Sequence, residues 1–243
     1  MSTLVLSKRT HGDNQRLWRE AVRRRWTIAR CQGVDAPAID RDEPVALYLE
    51  PLVAPTVAAK LGVELLDPTP DFLTRLRDAD VCRGIRLATV GEARSLGEAA
   101  FVKPPNDKSF EAAVYSQSDP LPDFLDQSEP VLIADPVEFE VEYRGFVLDR
   151  RLLTLSPYIR FGRLSIHDDY MSPDSERKAA TRFLQRFLAE SEVELPRGVV
   201  VDVGRLTDGN WAVIEANGAW GAGLYGCRTT DALDVIAASC RRY

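Results

Sequence analysis

The sequence predicts a mixed α+β protein, with a small α/β unit over residues 1–83 and an α+β part over residues 84–243. Three observations carry this reading. Strand-like and helix-like segments alternate through the first third. From about residue 84 the strands come in runs joined by hairpins, with few helices between them. The chain has 243 residues, 45% hydrophobic and 28% charged, enough for one large packed domain or two small ones.

Thr3–Ser7 reads as a strand. Asn14–Trp26 reads as a helix with Leu17, Trp18, Ala21 and Val22 on one face. Arg16, Arg19 and Arg23 to Arg25 crowd it, as a solvated face or as a phosphate-binding one. Val45–Leu49 is a buried strand, Thr56–Leu61 a short helix, and Asp71–Arg77 a helix led by Pro70. Ile85–Thr89 alternates, Glu92–Gly97 links, and Ala100–Lys103 is a short strand stopped by Pro104. Ser116–Glu129, rich in Asp, Pro and Ser, is a loop. Strands follow at Val131–Ala134, Val137–Leu148 and Leu152–Leu155. Asp174–Ser191 is a long helix whose Ala179, Phe183, Leu184, Phe187 and Leu188 form a core stripe. Val199–Val203 and Trp211–Ala216 are strands, and Asp231–Cys240 is a final helix.

Composition excludes several classes. The net charge is −6, which disfavours a polybasic nucleic-acid binder. No apolar run is long enough to span a bilayer: Pro44–Leu66 is broken by Glu50, Lys60 and prolines. The N-terminus lacks signal-peptide order, so the expected location is cytoplasmic. Cys31, Cys82, Cys227 and Cys240 are too sparse and too scattered for a disulfide framework. His11 and His167 are the only histidines, leaving little for a zinc site or a Ser-His-Asp triad.

The segment 199–217 (VVVDVGRLTDGNWAVIEAN) carries the strongest local signal. Asp208-Gly209 predicts a two-residue type I′ turn between alternating strands. Facing residues then place Asp202 opposite Glu215, with Asn217 on the same face and the valines on the other. Two like charges so placed repel across roughly 5 Å. A hard cation between them would relieve this, with Asn217 as a third oxygen. The other reading is a solvent-facing hairpin paired with arginines.

A second constellation is Glu138 to Val147 (EFEVEYRGFV). Odd positions are apolar, while Glu138, Glu140, Glu142 and Arg144 share the other face. Arg144 suits bidentate contact with phosphate or carboxylate. Two of the chain's five lysines, Lys103 and Lys108, follow one another at a strand end and on a loop, placed for an anionic ligand. Gly221-Ala-Gly223-Leu-Tyr-Gly226 matches a dinucleotide fingerprint in form. It follows a hairpin strand with too little chain left for a second parallel strand, so it is not a Rossmann site.

Taken in order, Phe101-Val-Lys-Pro104, the strand Val131 to Val137, Glu142-Tyr-Arg144, and Val201-Asp-Val203 with Val213-Ile-Glu-Ala-Asn-Gly218 resemble the ATP-grasp superfamily. The likeness is greatest to the clade named for one arginine and two lysines, over roughly residues 84–230. The resemblance implies an ATP-grasp fold, two α+β lobes clasping ATP, over residues 84–243, with residues 1–83 as the N-terminal domain. It implies that Lys103 and Lys108 contact ATP phosphates. Leu132, Ile133, Ala134 and Val137 would lie in the hinge beside adenine, and Glu142 would line the cleft. Arg144 would stabilise the transferred phosphoryl group, and Asp202, Glu215 and Asn217 would hold Mg²⁺. The implied activity is a carboxylate–amine ligase using ATP and Mg²⁺ through an acyl phosphate, releasing ADP and phosphate. Its partners would be small-molecule or peptide acids and amines, with no membrane, and with the oligomeric state open. An ATP-binding protein without ligase activity, or a phosphotransferase on the same fold, are the alternatives. One departure stands out: Pro104–Phe110 (PPNDKSF) occupies the place of the glycine-rich loop common in larger members. Trp220 to Tyr225 would serve either substrate contact or packing.

Overall fold

A computed structural model describes residues 2–9, 12–40, 42–105 and 109–243. The first part holds β1 (Thr3–Ser7), α1 (Gly12–Arg23), β2 (Thr27–Cys31), β3 (Val45–Tyr48), α2 (Ala54–Leu61) and β4 (Val63–Leu65). A 3₁₀ turn at Phe72–Arg75 and the single-turn α3 (Asp78–Val81) follow, in place of one helix over 71–77. Strands β1 to β3 form a parallel sheet in the order β2-β1-β3. The apolar runs of β1 and β3, buried throughout, suit strands covered on both faces, while β2 at the edge is partly exposed. On α1, Leu17 and Ala21 are buried, whereas Trp18 and Val22 remain outside.

Next come β5 (Ile85–Thr89), α4 (Val90–Arg94), β6 (Ala100–Lys103), β7 (Ala113–Tyr115) and β8 (Pro130–Ala134). The segment expected as a link is thus the short α4, started by a capping box between Thr89 and Glu92. These strands make an antiparallel sheet in the order β5-β8-β6-β7. Period two sorts its faces. Ala88, Val102, Val131 and Ile133 pack on α4 and on Leu121 and Leu125. Ile85, Phe101, Lys103, Leu132 and Ala134 take the other face.

The largest sheet contains β9 (Phe139–Leu148), β10 (Arg151–Arg160), β11 (Arg163–Leu164), β12 (Gly198–Leu206) and β13 (Trp211–Gly218), in the order β11-β10-β9-β12-β13. Between its strands lies α5 (Asp174–Glu190). Val141, Tyr143, Val199, Val201 and Val203 on one face pack against Leu184, Phe187 and Leu188 of that helix. On the opposite face, Phe146 and Val200 share a core with Leu4, Leu6 and Leu17 and with α6 (Thr229–Ala238). The final helix stops at Ala238, and Cys240–Arg242 forms β14, paired with β4.

The hairpin β12–β13 corrects one expectation. Its loop has three residues, Thr207 to Gly209, closed by Leu206 N–H to the Asn210 carbonyl at 2.8 Å. Gly209 takes φ +89°, where a Cβ would be strained. Pairs near the loop are therefore offset by one: Val203 faces Val213. A bulge at Ile214 restores the register, so Asp202 still faces Glu215.

Candidate active site

The site follows from one row of residues across three strands. Arg144 on β9 faces Asp202 on β12, which faces Glu215 on β13. Asp202 is fully buried, and both its oxygens accept from Arg144: Nε to Oδ1 at 3.0 Å and Nη2 to Oδ2 at 2.6 Å. Lys103, from the facing four-stranded sheet, donates to Glu215 Oε2, and Asn217 Nδ2 donates to Glu215 Oε1 at 2.8 Å. The row thus alternates into two ion pairs of zero net charge. The repulsion between the two carboxylates, which suggested a cation between them, is already offset by Arg144 and Lys103.

Electrostatics follow the same arrangement. Burial pushes Asp202 above the ordinary carboxylate value, with Arg144 opposing. Burial also acts on Glu215, but the Lys103 ammonium outweighs it and holds Glu215 low. Burial raises Glu142, to which the Tyr158 hydroxyl donates at 2.7 Å. The Arg144 guanidinium lies 5.0 Å from the ring centres of both Tyr158 and Tyr225, which stack on each other at 4.9 Å. Two rings and a carboxylate therefore fix its plane, and Tyr170 in turn leans on Tyr225 at 5.7 Å.

A cavity of about 700 Å³ opens beside this row, between the two larger sheets. Leu132, Ala134, Val137, Glu142, Lys103 and Glu215 line it. Ile133 does not: alternation turns its side chain into the α4 core. Lys108 lies outside the described residues. Among the described residues, no cluster of three or more His, Cys, Asp and Glu is arranged to hold a metal. The donor chemistry nevertheless fits Mg²⁺, a hard ion often held by one or two carboxylates with substrate phosphates and water. Glu215 lines the cavity and the Asn217 side chain lies against it, so both offer hard oxygen donors, while both Asp202 oxygens already accept from Arg144.

Two features were not legible locally. Arg83 is half-buried between the cavity and the edge strand β13, and donates to the carbonyls of Val81, Val213 and Ile214 at 2.8, 3.0 and 3.2 Å. It satisfies the carbonyls at the bulge and covers the sheet edge; burial lowers its pKa to about 10, so it stays charged at neutral pH. The N-terminal arginines are not merely a solvated face. Arg16 donates to the carbonyls of Tyr225 and Cys227, and Arg24 pairs with Asp234, tying α1 to the segment that carries Tyr225.

Residues 81–235 match the model of an ATP-grasp domain, family 2 of the clade named for one arginine and two lysines. The chain belongs to the ATP-grasp superfamily. Solved structures agree with this ATP-grasp fold at low identity. The D-cycloserine synthetase DcsG is 13% identical with a TM-score of 0.57, over 97% of this chain and 99% of that one. A RimK domain ATP-grasp protein from Sphaerobacter thermophilus is 17% identical with a TM-score of 0.54, over 98% of each chain. The ATP-grasp ligase PsnB, complexed with a precursor variant, Mg and ADP, is 15% identical with a TM-score of 0.51, over 98% and 97%. No curated protein matches the chain. ATP-grasp proteins of this kind are ATP-dependent ligases, and among the described residues no helix is long and apolar enough to cross a membrane.

Proposed function

We propose that this ATP-grasp protein is a carboxylate–amine ligase that uses ATP and Mg²⁺, activates its acid as an acyl phosphate, and releases ADP and phosphate. In this reading residues 84–243 form the ATP-grasp unit and residues 1–83 the N-terminal one. The observation that supports it most is the meeting of Lys103 and Glu215 at one edge of the cavity with Arg144 and Asn217, which line the space adjoining that edge. Phosphoryl transfer asks mainly for positioning and neutralisation of charge, and needs neither histidine nor cysteine.

Each residue then has a task. Leu132, Ala134 and Val137 offer the apolar wall for a base. Lys103 exchanges Glu215 for phosphate oxygens. Glu215 and Asn217, with Asp202 behind them, would hold Mg²⁺, which when bound neutralises phosphate charge. Arg144, its plane fixed by Tyr158 and Tyr225, presents its remaining N–H groups to the group being transferred.

Thermal unfolding tests this. At 100 times its dissociation constant a ligand stabilises by about 2.7 kcal/mol, which raises the midpoint of a chain this size by roughly 5–10 °C. ATP with Mg²⁺ is expected to produce that shift in wild type and little of it in Glu215→Ala. Absence of any nucleotide shift in the wild type would remove the proposal. An amide product, sought by mass spectrometry, separates ligase from phosphotransferase and from binding alone.

A further inference from the structure

Tyr225, one of the two rings against Arg144, stands in a backbone conformation that its surroundings must impose. Its φ is +47°, a region that non-glycine residues enter rarely and hold only where neighbouring contacts over-determine it. The next residue has to be glycine: a Cβ at Gly226 would stand 2.5 Å from Ser156 Oγ and 2.6 Å from Tyr170 Cβ. Cys227 N–H closes the turn by donating to the Leu224 carbonyl at 3.0 Å.

Further polar groups of this turn are taken by the start of α1, which lies more than two hundred residues earlier in the chain. Asp13 Oδ2 accepts from Leu224 N–H at 3.0 Å and from the Tyr48 hydroxyl at 3.3 Å. Arg16, three residues on and so on the same helix face, donates from Nη1 to the Tyr225 carbonyl, from Nη2 to the Cys227 carbonyl at 2.5 Å, and from Nε to Thr229 Oγ1 at 3.2 Å. The backbone is thus gripped on either side of the Tyr225 side chain. The turn in turn encloses Arg144: the Tyr225 ring lies 5.0 Å from its guanidinium, the Gly223 carbonyl accepts from its Nη1 at 3.4 Å, and Cys227 Sγ donates to its carbonyl at 3.4 Å. A guanidinium is a planar fork that meets phosphate oxygens in one plane, so whatever sets the turn also sets that plane. Attachment of α1 does not by itself call for these bonds, since Leu17 and Ala21 are in a shared core and Arg24 pairs with Asp234.

We propose that Arg16, assisted by Asp13, is a positioning residue of the phosphoryl-transfer site: it holds the 224–227 turn so that Tyr225 keeps the Arg144 guanidinium in the plane that meets the transferred group. Neither Arg16 nor Asp13 lines the cavity, so the N-terminal part contributes to the chemistry through α1 alone, by way of Tyr225. The inference rests on the nucleotide reading of the cavity and on the role given there to Arg144.

The test is thermal unfolding of the full chain, first with ADP and Mg²⁺, then with aluminium fluoride titrated into the saturated complex as a mimic of the phosphoryl group in transit. Wild type is expected to gain one midpoint shift from ADP and a further one from the fluoride. Arg16→Met is expected to keep the ADP shift and to bind the fluoride about tenfold to a hundredfold more weakly, with Arg16→Lys between it and wild type. Tyr225→Leu, which leaves α1 untouched, is expected to show the same selective loss. Arg16→Lys and Tyr225→Leu decide the question if Arg16→Met does not fold. An undiminished fluoride response in the Arg16 variants or in Tyr225→Leu, an equal loss of the ADP and fluoride responses in the Arg16 variants, or no fluoride response in wild type would each overturn the inference while the nucleotide reading stands. Absence of the ADP and Mg²⁺ response in wild type would instead remove the nucleotide reading, and this inference with it.

Discussion

Arg144 holds its charge where water scarcely reaches it, and it does so because Asp202 lies directly across the ladder with two oxygens turned to it. Removing one member of such a pair leaves an uncompensated buried charge, which costs about 3–5 kcal/mol, whereas replacing both by apolar side chains recovers much of that. Arg144→Met is therefore expected to lower the urea midpoint sharply, and the double change Arg144→Met with Asp202→Leu to restore most of it. If the single variant unfolds at the wild-type midpoint, the pair is not what holds that row. At this scale the sequence was informative where chemistry repeats with a period of two. Asp202, Glu215 and Asn217 could be put on one face by counting, and Arg144 on the charged face of its own strand. Arg83 and Arg16 could not be placed, since their partners Val213 and Tyr225 lie more than a hundred residues away.

Helix α1 draws much of its attachment from charge. Glu20, mostly buried, accepts from Arg23 and Arg24, and Arg24 reaches on to Asp234 of α6. The Arg23 bond, with Arg24 behind it, outweighs burial and lowers the Glu20 pKa from 4.5 to about 2. A carboxyl with a lowered folded-state pKa stabilises fully above its unfolded value and loses that contribution as pH falls. Wild type and Glu20→Gln should thus differ in urea midpoint at pH 7, and the difference should shrink between pH 5 and pH 2. A gap that does not change with pH would assign it to packing alone. Elements themselves were legible in proportion to their burial pattern. The long β9, α5 and the β12–β13 hairpin alternate or repeat strongly, and were readable. Strands β2 and β14 are short and partly exposed, so nothing in TIARC or CRR signals them. The three-residue loop escaped because Asp-Gly suits a tighter turn equally well, and the bulge at Ile214 hid the difference from the register argument.

Across the whole molecule, the two parts read from sequence do not have separate interiors. Leu4, Leu6 and Leu17 share a core with Phe146, Val200 and Leu233. A fragment of residues 84–243 would expose that surface, and is expected to lack near-ultraviolet dichroism and a cooperative urea transition. A sharp transition in the fragment would instead make residue 83 a true boundary. The last strand deepens this dependence. β14 pairs with β4, Leu47 N–H donates to Cys240 Sγ at 3.3 Å, and Arg242 donates to the carbonyls of Asp40, Glu43 and Leu61. These contacts close loops of about two hundred residues, the class of contact that forms slowly. During synthesis, the strands that emerge first must therefore wait for residues 240–242 to leave the ribosome before their layer is complete. Closure of this layer is thus set by contacts distant in the chain rather than by a progression from one end to the other.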